Sequence, residues 1–150
     1  MTYQMKKVAV IGSGVMGASI AAHLANVGLP VLLLDIVPTT LTDKEEAKGL
    51  TLQSREVRNR LASEAVQRAL KQKPAPFTTK RNASLIEVGN IDDDLEKIKD
   101  VDWVIEVVVE RLDIKKSLYE KIEKYRRPGT IVSSNTSGIS IEAMAEGRSD

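Results

Sequence analysis

Three glycines near the start of the chain follow a short apolar run, with a spacing that suits phosphate chemistry. Gly12 allows a tight turn after a strand, Gly14 lets the backbone approach a ligand closely, and Gly17 lets the next helix pack on the sheet. The first N–H groups of that helix and its positive dipole end would face the phosphates. The pattern therefore predicts that a dinucleotide binds along the segment Gly12-Ser13-Gly14-Val15-Met16-Gly17.

An aspartate, Asp35, ends the next apolar run and predicts which dinucleotide binds. A carboxylate at this place accepts hydrogen bonds from the hydroxyl groups of the adenine ribose, and it repels a phosphate at the 2′ position. The residues that follow, Ile36, Val37 and Pro38, offer no arginine to hold such a phosphate. NAD is therefore favoured over NADP, and FAD, which uses the same glycine pattern, is the lesser alternative.

Apolar runs and helical patterns alternate along the chain, as in proteins with helices on both faces of a parallel sheet. Strands are predicted at residues 7–11, 31–35, 85–88, 102–108 and 131–134. Helices are predicted at residues 15–27, 54–70, 112–125 and 139–145, with a short acidic helix over 92–94 and a loop or short helix over 41–53. The fold class is α/β, a doubly wound parallel sheet of the Rossmann type with strand order 3-2-1-4-5. Because the usual sixth strand is missing, we expect residues 1–150 to be one NAD-binding domain truncated at its C-terminal end.

The composition argues against several other classes of function. The 22 Lys and Arg residues are balanced by 21 Asp and Glu, so the net charge of +1 provides no basic surface for nucleic acid. The absence of cysteine excludes disulfides, thiolate catalysis and cysteine-based zinc sites, and no metal site is expected. Glycines interrupt the apolar stretch near the N-terminus, and no window approaches the length of a membrane span. We expect a cytoplasmic protein.

Three segments of the chain carry a resemblance to a known family: residues 10–17 (VIGSGVMG), 103–110 (WVIEVVVE) and 133–137 (SSNTS). Together, in this order and spacing, they resemble the NAD-binding domain of the L-3-hydroxyacyl-CoA dehydrogenases of fatty-acid β-oxidation. The match is closest to the bacterial multifunctional β-oxidation proteins, in which a helical catalytic and dimerisation domain follows. The resemblance implies that the full-length protein acts on an acyl-CoA, oxidising 3-hydroxyacyl-CoA to 3-ketoacyl-CoA with NAD.

The resemblance also assigns roles to residues after the fourth and fifth strands. Glu110 and Lys115 correspond to residues that line the nicotinamide ribose and carboxamide, and Val109 is counted with them. Asn135 and Ser137 belong to the same site, and Ser137 resembles the serine that hydrogen-bonds the 3-oxygen of the substrate. A hydroxyl group suits that role because it can donate to a keto oxygen or accept from an alcohol.

Structural roles remain alternatives for the same residues. Glu110 could cap the helix that begins near Leu112, Lys115 could be a solvated surface charge, and residues 135–137 could form only a turn and a helix N-cap. The run 107–109 is expected to pack in the core, and Glu106 among its apolar neighbours needs a polar partner. Lys71 and Lys73 could contact a CoA phosphate or only complement a helix end.

The catalytic base of the family is a histidine that follows this region in sequence. The single histidine of this chain, His23, falls on the helix after the glycine turn and is expected to be a surface or packing residue. We therefore expect the chain by itself to bind NAD and to be inactive. There are two alternatives to a hydroxyacyl-CoA dehydrogenase. One is a dehydrogenase of the 3-hydroxyisobutyrate or 6-phosphogluconate type, and the other is a non-catalytic NAD-binding module. The strand at 131–134 would form an open sheet edge, so self-association is also expected.

Overall fold

The computed structural model describes residues 4–149, which form a single five-stranded parallel sheet flanked by helices. The strand order is β3-β2-β1-β4-β5, as predicted, and all four pairings are parallel. The strands are β1 (Val8–Ile11), β2 (Val31–Asp35), β3 (Ile86–Asn90), β4 (Trp103–Glu106) and β5 (Ile131–Ser134). The doubly wound α/β fold predicted from the sequence is confirmed.

Helices connect the strands on both faces of the sheet. They are α1 (Val15–Asn26), α2 (Asp43–Ala47), α3 (Arg55–Arg58), α4 (Arg60–Lys71), α5 (Ile91–Asp94), α6 (Leu112–Tyr125) and α7 (Ile141–Ala145). Two 3₁₀ helices, Lys80–Leu85 and Leu95–Asp100, precede β3 and β4. None of the described helices is long and apolar enough to cross a membrane.

The two central strands, β1 and β2, are apolar throughout because helices cover the sheet on both sides. Successive side chains point to opposite faces and feed two separate cores. On one face, Ile11 and Leu34 pack with Leu118 and Ile122 of α6. On the other face, the alternate strand residues pack with Ala21 and other residues of α1 and with α4.

The single helix predicted over residues 54–70 is wrong, because Asn59 separates α3 from α4. Asn59 is buried, and its side-chain oxygen accepts a hydrogen bond of 2.7 Å from the side-chain amide of Asn90 at the end of β3. The backbone at Asn59 has ψ near 5°, outside the ordinary helical range. A tertiary hydrogen bond therefore accompanies the break in a segment whose apolar spacing is helical throughout.

Other element boundaries differ by a few residues from those predicted. β3 extends to Asn90, β4 ends at Glu106 and α7 begins at Ile141 after its N-cap Ser140. Residues 41–53 contain α2, which begins with a capping box between Thr42 and Glu45. The predicted bounds of α6 and β5 are confirmed.

The strand β5 lies at the edge of the described sheet and pairs only with β4. Ile131 and Val132 are exposed on this strand. The indole N–H of Trp103 on β4 donates a hydrogen bond of 2.8 Å to the hydroxyl of Ser133 on β5. The sequence-based expectation of an open edge at this strand is thus met in the part of the chain that the structure describes.

Candidate cofactor site

The turn between β1 and α1 is built by two glycines that the protein itself requires. Gly12 has φ of 109°, and a Cβ added to it would lie 2.5 Å from the carbonyl oxygen of Val107. A Cβ added to Gly17 would lie 1.8 Å from the carbonyl oxygen of Gly12. Both contacts are far shorter than a real Cβ makes, so these positions admit only glycine in this geometry.

Gly14 is different, because no atom of the described residues lies close enough to require a glycine there. Its φ of −62° and ψ of −172° are extended backbone that any residue adopts. A Cβ added here would meet no atom within 4 Å. The open space above Gly14 is where the glycine pattern predicts the close approach of a diphosphate, so the turn fits that ligand.

The first turn of α1 offers backbone donors beside that open space. The helix begins at Val15 and no side chain caps its N-terminus. The first N–H groups of an α-helix have no partner within the helix, and they carry its positive dipole end. Val15 and Met16, both exposed, leave this end accessible to an anion.

The carboxylate of Asp35 lies at the end of β2 and is fixed by three donors. Its Oδ2 accepts hydrogen bonds from the backbone N–H of Ser13, at 2.8 Å, and from the Ser13 hydroxyl. Its Oδ1 accepts the N–H of Ile36 at 2.7 Å. Ser13 of the glycine turn and Asp35 are thus joined by hydrogen bonds, although α1 and most of β2 lie between them in the sequence.

A cleft of about 540 Å³ runs along the carboxyl ends of the strands and contains these groups. In doubly wound sheets this edge, near the point where strand order reverses, is where ligands bind. The cleft brings together five of the predicted site residues: Gly12, Ser13, Gly14, Asp35 and Val109. Ile36, Ile91, Val107, Val108, Asp92, Asp113, Ile114, Ser117, Leu118 and Lys121 complete its lining.

Val109 is 59% exposed in this cleft. The prediction that the whole run 107–109 packs in the core is therefore wrong at Val109, because β4 ends at Glu106 and the chain then turns outward. Val109 lines the cleft, and its part in cofactor binding stays a prediction.

Beneath the far end of the cleft lies a buried ion pair that the sequence analysis missed. Glu106 and Lys115 are both fully buried, and the Lys115 ammonium lies 2.7 and 2.9 Å from the two carboxylate oxygens of Glu106. The hydroxyl groups of Tyr119 and Ser134 and the N–H of Val108 also donate to Glu106, at 3.1, 3.3 and 3.2 Å. Burial is the main reason that the pKa of Tyr119 is raised to about 12.

The idea that Lys115 is a solvated surface charge is wrong. A signal for this was present in the sequence, because Lys115 lies on the same face of α6 as Leu118, Tyr119 and Ile122. Residues three, four and seven positions apart share one helix face, and this face packs on the sheet. A lysine within an apolar stripe, opposite a strand that ends in glutamate, indicates a buried pair.

Glu110 stands above Lys115 and connects it to the loop after β5. One Glu110 oxygen lies 3.8 Å from the Lys115 ammonium, and the other accepts hydrogen bonds from the Thr136 hydroxyl and from the N–H of Gly138, the latter at 3.4 Å. The Thr136 hydrogen bond holds the pKa of Glu110 below its ordinary value. Glu110 does not cap α6, whose N-cap residue is Arg111, so that alternative is wrong.

Asn135 and Ser137 lie on the loop that follows β5, and both are exposed. The N–H of Asn135 donates 2.9 Å to the carbonyl oxygen of Glu106, which fixes the start of the loop against β4. Residues 135–137 do not supply the N-cap of α7, which is Ser140. The structure therefore brings Asn135 and Ser137 to the same sheet edge as the glycine turn, with their side chains open to solvent.

His23 is exposed in the last turn of α1, whereas the glycine turn precedes the first turn. With a rise of about 1.5 Å per residue, this separates His23 from the turn by roughly 12 Å along the helix. The expectation that it is a surface residue is confirmed. Within residues 4–149, no three His, Cys, Asp or Glu residues are grouped closely enough to hold a metal ion.

A family model described as "3-hydroxyacyl-CoA dehydrogenase, NAD binding domain" matches residues 7–150. The chain belongs to this family. The cofactor of the family is NAD, in agreement with the prediction from Asp35, and the match favours the hydroxyacyl-CoA dehydrogenase resemblance over the 3-hydroxyisobutyrate alternative.

Relatives from bacteria agree with this family. A Bacillus subtilis protein named "Probable 3-hydroxyacyl-CoA dehydrogenase" is 60% identical over 150 residues, which are 100% of this chain and 19% of the relative. A Deinococcus radiodurans protein of the same name is 54% identical over 147 residues, which are 98% of this chain and 38% of the relative. The chain thus spans well under half the length of these relatives.

A solved structure shows the same fold. The 3-hydroxybutyryl-CoA dehydrogenase of Escherichia coli superimposes with a TM-score of 0.70 and 30% identity, over 98% of this chain and 28% of that one. The prediction that the fold is the nucleotide-binding sheet of this dehydrogenase family is confirmed.

Proposed function

We propose that this chain is the NAD-binding part of an enzyme that oxidises L-3-hydroxyacyl-CoA to 3-ketoacyl-CoA in fatty-acid β-oxidation. The observation that carries the proposal is that three segments follow the carboxyl ends of neighbouring parallel strands: the glycine turn after β1, Glu110 after β4, and residues 135–137 after β5. These are the segments in which the sequence resembles the family.

Each predicted residue has a role in this proposal. The N–H groups of Val15 and Met16 and the open space at Gly14 accommodate the diphosphate, and Asp35 accepts the hydroxyl groups of the adenine ribose. When bound, NAD supplies the group that accepts a hydride. Glu110 and Asn135 orient the nicotinamide half, with Lys115 held beneath Glu110.

Ser137 is the residue that touches the substrate in the proposed reaction. Its exposed hydroxyl, on the loop after β5, hydrogen-bonds the 3-oxygen of the acyl-CoA. The group that removes the hydroxyl proton comes from outside residues 1–150, because His23 lies at the wrong end of α1. A helical domain supplies this base and completes the acyl-CoA site, as the greater length of the relatives supports.

We also propose a cellular compartment for the enzyme and a mode of self-association for the chain. We place the enzyme in the cytoplasm. The chain 1–150 associates with a second copy along β5, because Ile131 and Val132 leave an apolar strand edge exposed. Sedimentation that shows only monomers at high protein concentration would contradict this association.

Calorimetric titration of the chain with NAD⁺ and NADP⁺ tests the cofactor site. We expect NAD⁺ to bind at least about tenfold more tightly, because the carboxylate of Asp35 repels a 2′-phosphate. Asp35→Asn should remove most of this preference. Asp113→Asn is the matched control, since Asp113 lines the cleft on α6 and is paired with Arg111. Equal affinity for the two cofactors in the wild-type chain would contradict the assignment of Asp35.

Turnover of acetoacetyl-CoA with NADH tests the assignment of the base. We expect the chain 1–150 to bind NADH and to show no enzyme-like turnover. A longer protein that carries these residues and the remainder of the relatives' length should be active, and Ser137→Ala in it should lower kcat more than it weakens NAD⁺ binding. Enzyme-like turnover by residues 1–150 alone would show that the base lies within them.

A further inference from the structure

The pair of Glu106 and Lys115 stands out because a fold does not need it for stability. Both groups are fully buried, and moving two charges out of water costs free energy that their attraction only partly returns. Apolar residues of similar volume usually stabilise such a position as well or better. A buried pair at the end of a central strand therefore points to a positional role.

The position of Glu106 is the point where the sheet reverses its strand order. Glu106 pairs with Ile11, the last residue of β1 before the glycine turn, and with Ser134, the last residue of β5. Its carboxylate accepts donors from α6, from β5 and from the loop after β4. One side chain thus ties together three elements that end at the cofactor edge.

The network continues upward from Lys115 to the surface. The Lys115 ammonium lies between Glu106 and Glu110, and Glu110 in turn holds the Thr136 hydroxyl and the N–H of Gly138. Ser137 lies between these two anchored residues. The chain of contacts therefore runs from a buried carboxylate to the loop that carries the proposed substrate contact.

We propose that Glu106 is a positioning residue that, through Lys115, fixes Glu110 and the loop 135–138 for the nicotinamide half of NAD. The inference rests on the proposed function. Because no hydrogen bond joins Asp35 or the glycine turn to the Glu106 side chain in the described part of the chain, we expect the main effect of Glu106 at the nicotinamide half of the cofactor.

This difference between the two halves allows a test with three ligands. ADP carries only the adenosine and the diphosphate, whereas NAD⁺ and NADH also carry the second ribose and the nicotinamide ring. A residue that positions the nicotinamide half changes affinity for NAD⁺ and NADH and leaves that for ADP nearly unchanged. Global destabilisation weakens all three ligands together.

The variant is Glu106→Gln, measured by calorimetric titration of the chain 1–150 with each ligand. We expect affinity for NAD⁺ and for NADH to fall by about tenfold, and that for ADP to change by less than about twofold. Glu87→Gln is the matched control, because it breaks an exposed ion pair with Lys97 of 2.6 Å on the edge strand β3. It should leave all three affinities unchanged.

Tyr119→Phe keeps the test decisive if Glu106→Gln does not fold. It removes one donor to Glu106 while keeping the aromatic ring in the core, and should weaken NAD⁺ binding about threefold with ADP binding unchanged. A readout that does not depend on cofactor is the backbone amide resonance of Gly138. This resonance should shift in both variants, because its acceptor Glu110 moves.

Three outcomes would overturn the inference. Equal losses for NAD⁺ and ADP would show a structural role only, and no loss for either would show no role. A loss for NAD⁺ with NADH unaffected would show a long-range effect of charge on the cationic ring instead of positioning. Failure of the proposed function looks different, since the wild-type chain would then bind neither NAD⁺ nor ADP.

Discussion

Along the carboxyl edge of the sheet, the β1–α1 turn and the ends of β4 and β5 form the candidate site in different ways. At the β1–α1 turn the site is made of backbone, and its essential residues are glycines that keep side chains away. At the ends of β4 and β5 the site rests on a buried network of Glu106, Lys115, Tyr119 and Ser134. A diphosphate needs close N–H donors, which the backbone supplies directly, whereas a loop that must hold one side chain in one place needs directional contacts beneath it.

The two ends should therefore fail in different ways. A change at the β4–β5 end leaves charges unpaired in the core and acts on stability first. A change at the turn acts by steric overlap, with the protein at Gly12 and Gly17 and with the ligand at Gly14.

The largest effect is expected for Lys115→Met. Methionine is an unbranched side chain one heavy atom shorter than lysine, and it leaves the buried carboxylate of Glu106 without its counter-ion, so the free energy of unfolding should fall by about 3–5 kcal/mol. Urea denaturation measures the change. The double variant Glu106→Gln/Lys115→Met should recover much of the loss, because no charge then remains unpaired. A single variant as stable as the wild type would show that the pair is solvated in solution.

The next effect separates two glycines of one turn. Gly17→Ala should lower the free energy of unfolding by about 3 kcal/mol, because its Cβ would overlap the carbonyl oxygen of Gly12. Gly14→Ala should change stability by less than about 1 kcal/mol, since a Cβ there meets nothing in the protein. It should nevertheless weaken NAD⁺ binding more than tenfold by filling the space for the diphosphate. Thermal melts measure the stability of both variants, and titration with NAD⁺ measures their binding. Binding of NAD⁺ by Gly14→Ala as tight as that of the wild type would contradict the prediction for Gly14.

The smallest effect concerns an exposed ion pair, as a contrast to the buried one. The hydrogen bond from Arg58 is the main reason that the pKa of Asp93 is lowered to about 2. Because the folded pKa lies below the unfolded value, the contribution of Asp93 is present above about pH 4 and is lost as the pH falls towards 2. Asp93→Asn should therefore lower Tm by no more than about 3 °C at pH 5 and by less at pH 2.5. An equal difference at both pH values would contradict this assignment.

The order of the strands and the glycine turn between β1 and α1 could be predicted from local sequence. A short apolar run such as 31–34, preceded by Gly28 and Pro30, is typical of a strand buried on both faces, and the glycine spacing suits a turn between a strand and a helix that binds a diphosphate. The partnership of Ser13 with Asp35 was not predicted, because it depends on how β1 and β2 lie side by side.

The second half was harder to predict, for a physical reason. Lysine is almost always exposed, so Lys115 was weighed as a surface charge although its helix face is apolar. Only the register of α6 on the sheet brings its ammonium to Glu106. The break at Asn59 was missed for the same reason, since its partner Asn90 lies on another element.

The hydrogen bond from Trp103 to Ser133 makes the fluorescence of this tryptophan a probe of the contact between β4 and β5. Trp103 is the only tryptophan, and it lies where β4 meets β5, so the emission of the indole follows the surroundings of that half of the sheet alone. Far-ultraviolet circular dichroism follows the helices and strands of the whole chain. A thermal melt followed by tryptophan emission and by circular dichroism on one sample thus shows whether the region of β4 and β5 unfolds together with the rest of the chain.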